Sequence, residues 1–74
     1  MSRIEVTTEV TGNVWKIEAT VGDALENEDV IMILESMKME IPVEAPAAGV
    51  VAELSVSPEE AVEEDQVLAV IETG

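Results

Sequence analysis

The stretch Val30-Ile31-Met32-Ile33-Leu34-Glu35-Ser36-Met37-Lys38-Met39-Glu40-Ile41-Pro42-Val43 decides the fold. Two extended apolar segments flank a short polar-centred link, the pattern of a β-hairpin. The Asn-Gly or Asp-Gly pair usual in such a link is missing. A lysine stands there between two methionines, at a tip where flexible apolar side chains gain little from burial. Selection for turn stability alone does not produce that combination. The tip falls at the chain's midpoint, with 37 residues up to Met37 and 37 from Lys38 onward. Lys38 is also one of only two lysines in a chain of formal charge −14.

Outward from the hairpin, Ile4-Glu5-Val6, Val14-Trp15-Lys16-Ile17-Glu18-Ala19 and Val50-Val51-Ala52-Glu53-Leu54-Ser55-Val56 alternate and read as half-buried strands. Val30 to Leu34 and Val67 to Ile71 are continuous apolar runs, the pattern of strands buried on both faces. Breakers fall between these segments at Gly12-Asn13, Gly22-Asp23, Pro46 to Gly49 and Pro58-Glu59-Glu60. Many short strands with regular turns predict an all-β sandwich or barrel. Pro42 cannot donate to a ladder, so its strand belongs at an edge or a bulge. Asp23-Ala24-Leu25 and Glu60-Ala61-Val62 read as compact turns or brief strands covering sheet edges.

A shift of 37 residues superposes the halves without a gap. Ile4 meets Ile41, Gly12 meets Gly49, Val14 meets Val51, Leu34 meets Ile71 and Glu35 meets Glu72. So long a period marks a repeated structural unit. Two copies in one small chain predict a pseudo-two-fold fold over residues 1–74, a single domain in which each half supplies one sheet and the sheets pack face to face. The same symmetry places Lys38 in a closed hairpin at one end and the termini at the other.

Composition narrows the function. With 74 residues there is room for one small domain. No cysteine or histidine is present, which removes disulfides, thiolate metal sites and the commonest general base. The N-terminal residues Met1 to Glu5 lack the apolar core of a signal peptide, and no apolar run approaches the ~20 residues that span a bilayer. A soluble, cytoplasmic protein is expected. Seventeen acidic residues against three basic ones repel phosphate backbones and anionic lipid, so neither nucleic acid nor membrane is an expected partner, and the chain is expected to be a monomer. No acid, base and nucleophile set converges, so no enzyme is expected. Glu59, Glu60, Glu63, Glu64 and Asp65 lack calcium-loop spacing and read as a solvated face. Met32 reads as core, and Trp15 as a packing anchor.

An exposed lysine on a rigid hairpin is a presentation device. Its amine can be acylated by an enzyme that grips the turn from outside, and its four-carbon stem then becomes part of a tether. Met37 and Met39 are soft apolar handles for that enzyme.

Glu35-Ser36-Met37-Lys38-Met39-Glu40 resembles the Glu-Ala-Met-Lys-Met-Glu motif of the biotinyl/lipoyl attachment family. Ala45-Pro46 with Gly49-Val50-Val51, and Gly12-Asn13-Val14, resemble further segments of the same family. The resemblance covers nearly the whole chain and is strongest to the stand-alone attachment proteins of bacteria, which are similar to biotin carboxyl carrier proteins. It implies a flattened antiparallel β-barrel, a barrel-sandwich hybrid, with biotin in amide linkage to Lys38. It implies that Glu35, Ser36, Met37, Met39 and Glu40 form the hairpin read by a biotin protein ligase. It implies a swinging arm that takes a carboxyl group from a biotin carboxylase to a carboxyltransferase. Ser36 stands where biotinyl domains usually have alanine and where lipoyl domains often have serine. Lipoate on Lys38, placed by a lipoyl ligase, is therefore the alternative cofactor. An acidic interaction domain with an unmodified lysine is the alternative from another class. A helical acyl carrier is excluded for want of its Asp-Ser-Leu motif.

Overall fold

The computed structural model describes residues 2–73. It contains eight strands: β1 Ser2–Thr7, β2 Gly12–Ile17, β3 Ala24–Leu25, β4 Val30–Ser36, β5 Met39–Glu44, β6 Gly49–Leu54, β7 Ala61–Val62 and β8 Val67–Thr73. These form two four-stranded antiparallel sheets, ordered β1-β8-β6-β3 and β5-β4-β2-β7. Alternation explains the long strands: in β2, Val14 points inward and is buried, while Asn13 and Trp15 lie outside.

The two-fold repeat holds, but not as one half per sheet. Each sheet draws two strands from each half, and a shift of 37 residues exchanges the sheets: β1, β3, β6 and β8 map onto β5, β7, β2 and β4. The hairpin forces this interleaving. A two-residue link allows β4 and β5 only to pair with each other, so the boundary between halves lies inside one sheet.

The symmetry extends to irregularities. Register shifts fall at Trp15 in β2 and at Ala52 in β6, where an extra residue bulges. A second matched pair falls at Ile31 and Leu68. These bulges turn neighbouring residues inward together, so Ile31 and Met32 both join the core, as do Leu68 and Ala69. The turns match too. The Thr20 N–H donates to Asp23 Oδ2 at 2.9 Å, and its counterpart Ser57 donates to Glu60 Oε1 at 3.0 Å. Glu26 and Glu63 donate in the same way to Asp29 and Gln66.

One apolar cluster fills the space between the sheets, including Val14, Ile31, Met32, Leu34, Val51, Leu68 and Ile71. Pro42 lies on β5, an edge strand, where its missing N–H costs no ladder bond. The brief strands β3 and β7 cover the opposite edges, as their sequences suggest. Ser2 pairs with Thr73 at one end, and β1 leads from there to Thr11, whose carbonyl lies at the hairpin. Lys38 and the Ser2–Thr73 pair therefore stand at opposite ends of the sandwich.

Candidate functional site: the Lys38 hairpin

Strands β4 and β5 converge with Glu35 opposite Glu40 and Ser36 opposite Met39. Only Met37 and Lys38 remain for the link. Their φ values are 52° and 66°, so both central residues are left-handed, as a type I′ turn requires. Neither residue type favours that region. Backbone strain is thus held at the tip, in Met37 and Lys38.

The tip projects its apolar groups. Met37 is 91% exposed and Met39 61% exposed, and Lys38 is exposed between them. Glu35 and Glu40 are also exposed, directly across the ladder from each other. Like charges in that arrangement weaken a hairpin slightly. Among the described residues, Arg3 forms ion pairs with Glu53 and Glu72 and Lys16 with Glu18, whereas Lys38 forms none. Its amine is therefore free to reach an external reagent. The fit to an amide-linked group is direct: a primary amine, open to solvent, on a fixed turn.

The hairpin is held from below by contacts the sequence did not reveal. Ser36 is half-buried, and its Oγ donates to the Thr11 carbonyl at 2.8 Å. Thr11 Oγ1 in turn accepts from the Glu64 N–H at 3.3 Å, linking the hairpin to the turn before β8. Gly12 lies so close to β4 that a Cβ there would overlap the Glu35 carbonyl oxygen. Gly49, its counterpart, stands against the Glu72 carbonyl. The 37-residue repeat signals the equivalence of the two glycines, but nothing local marks Thr11.

Trp15 is not the packing anchor expected of it. It is 49% exposed, because it faces away from the buried Val14 at the β2 bulge. Its ring centroid lies 5.5 Å from Lys16 Nζ, and it sits on the strand next to the hairpin.

The family described as biotin-requiring enzyme, of the biotin/lipoyl type, matches residues 4–71. The chain belongs to the biotin/lipoyl attachment family. This attachment domain is 40% identical to a biotinylated protein TB7.3 homolog of Mycobacterium leprae over 67 residues, covering 90% of this chain and 94% of that one. It is 41% identical to a biotin/lipoyl attachment protein of Bacillus subtilis over 63 residues, covering 85% and 86% of the two chains. Among solved structures, the Kluyveromyces lactis urea carboxylase contains a matching region with TM-score 0.91 and 35% identity. The match covers 96% of this chain but only 6% of that carboxylase.

Proposed function

We propose that the attachment domain is a biotin carrier whose covalent site is Lys38. The observation that carries this reading is the free, exposed Lys38 amine on a left-handed turn between two projecting methionines, in a chain of this family. In the acylation, Lys38 Nζ attacks an activated biotin carboxyl, the amide bond forms, the activating group leaves and the amine gives up a proton. The domain supplies no base for this step, so a biotin protein ligase must supply the activated acyl group and take the proton. Met37 and Met39 fill apolar recesses on that ligase, while Glu35 and Glu40 meet its polar rim. Ser36 acts differently: its hydroxyl holds the hairpin down through the Thr11 carbonyl. Biotin is the proposed group, on the strength of the Met-Lys-Met tip and the similarity to a biotinylated protein, with lipoate the alternative.

Bound biotin supplies a nitrogen that can carry a carboxyl group. The domain supplies placement and a tether, and itself catalyses no step. Its partners are a biotin carboxylase and a carboxyltransferase, the roles that would place it beside carboxylases such as its structural neighbour. We read residues 1–74 as one such carrier unit, monomeric and cytoplasmic. A net charge of −14 opposes self-association and favours basic clefts on those partners.

The test is transfer. The ligase-treated domain is incubated with biotin carboxylase, ATP and labelled bicarbonate. Acid-labile label should accumulate on the wild-type domain and be absent from Lys38→Arg. Equal label on both proteins would contradict the carrier role.

A further inference from the structure

The repeat provides an internal control on what the fold requires. Residues 37 apart occupy matching places, so a mismatch that both halves tolerate is not demanded by folding. Two such mismatches lie together beside the hairpin. Trp15 stands where the other half has Ala52, and Glu59 where it has Gly22. The backbone is the same at both ends. Trp15 and Ala52 each form a bulge. The Glu59 N–H donates to the Val14 carbonyl at 2.7 Å, as the Gly22 N–H donates to the Val51 carbonyl at 2.8 Å. The φ is 98° at Gly22 and 71° at Glu59. Glycine takes that conformation without steric cost and glutamate does not. Glu28 and Asp65, a matched pair, hold φ values of 76° and 70°, so this conformation belongs to the turns; what sets this end apart is an exposed indole and a carboxylate where the other half has alanine and glycine.

They line one groove of about 400 Å³ with Asn13, Val14 and Glu35. Glu35 belongs to the hairpin, three residues before Lys38, and Asn13 is its partner across the β2–β4 ladder. The matching positions at the other end are Val50, Val51, Ala52, Glu72 and Gly22, with neither indole nor second carboxylate. The groove thus accompanies the lysine and not the fold.

Its chemistry selects its occupant. An indole face and two carboxylates together suit a cationic side chain, above all a planar guanidinium that stacks on the ring and pairs with the acids. The ring already draws an ammonium: Lys16 Nζ lies 5.5 Å from its centroid while 3.6 Å from Glu18. We propose that the Trp15–Glu59–Glu35 groove is a docking site for an arginine of the biotin protein ligase, engaged while that enzyme holds the Lys38 hairpin. This inference rests on Lys38 being the acylated residue. It adds that recognition reaches past the Met-Lys-Met tip onto the outer face of β2.

The experiment is steady-state biotinylation by a biotin protein ligase, with the domain as varied substrate. Trp15→Ala should raise KM about ten-fold or more, as loss of an interface tryptophan does, with kcat little changed. Glu59→Gly installs the residue that the other half uses, so its melting temperature should not fall, yet its KM should rise. The salt dependence of KM should also flatten in Glu59→Gly, because one screened ion pair is gone. Val50→Ala, at the position matching Asn13, should leave KM unchanged. With 5-fluorotryptophan at Trp15, the only tryptophan, the single fluorine resonance should shift on adding ligase. Wild-type KM in both Trp15→Ala and Glu59→Gly would overturn the groove and leave the carrier reading intact. A wild-type domain that the ligase never labels would overturn that reading and this inference together.

Discussion

At the scale of single residues, the site depends on side chains that are absent as much as on those present. Gly12 is required because β2 enters against the Glu35 carbonyl, and a backbone oxygen cannot swing aside as a side chain would. Gly12→Ala should therefore cost about 1–3 kcal/mol, the range for forcing an extra methyl into a filled space. Urea unfolding measures it, and an unchanged midpoint would contradict the close approach. Met37 and Met39 act in the opposite direction. Their exposure adds nothing to the core, and on the proposed reading they fill the ligase's pockets. Losing one such buried contact costs roughly 1.5–3 kcal/mol, about ten-fold or more in recognition. An aspartate at position 37 adds a desolvation cost in an apolar pocket. The double change Met37→Asp with Met39→Ala should thus turn Lys38 from a biotin acceptor into a better lipoate acceptor. Adduct yields with biotin and lipoyl ligases measure this, and equal yields for both chains would remove the methionines from the choice.

At the scale of the hairpin, stability and function oppose each other. The β4–β5 register leaves two residues for the turn, and both adopt left-handed φ without being glycine or asparagine. Met37→Asn with Lys38→Gly supplies the residues that a type I′ turn favours. That pair should raise stability by roughly 1–2 kcal/mol and abolish acylation. A thermal melt checks the first effect and ligase labelling the second. Lower stability in the double variant would show that the turn is not strained. The hairpin itself was legible in the sequence, because two apolar runs around a short polar link leave few alternatives. Its strain was not, because sequence does not print φ. The contact of Ser36 was hidden for the same reason: its identity resembles lipoyl relatives, but only its position shows the hydroxyl turned to Thr11.

At the scale of the whole molecule, the 37-residue repeat was plain from residue pairs such as Gly12 with Gly49, and the pseudo-two-fold axis follows from it. The assignment of one half to each sheet failed because similarity between halves does not reveal pairing. The hairpin link decides pairing, and it puts β4 beside β5. Trp15 failed as a packing anchor because apolar character is a weaker guide than alternation: with Val14 buried, its neighbour on β2 faces outward. The symmetry carries its own energetic consequence. Leu34 and Ile71 occupy equivalent places and are 1% and 0% exposed. Leu34→Ala and Ile71→Ala should each cost about 2–5 kcal/mol and agree within about 1 kcal/mol. Denaturant midpoints measure both, and a large disparity would mean that the halves do not share one evenly packed core.

The central claim is that one amine, held at the tip of the β4–β5 turn, is the acylated group. The direct test is tandem mass spectrometry of the domain after incubation with biotin protein ligase, with Lys38→Arg beside it. The expected result is one biotin on Lys38, none on Lys16 or the N-terminal amine, and no adduct on the folded Lys38→Arg variant. Biotin on Lys16, or an adduct that survives Lys38→Arg, would contradict it.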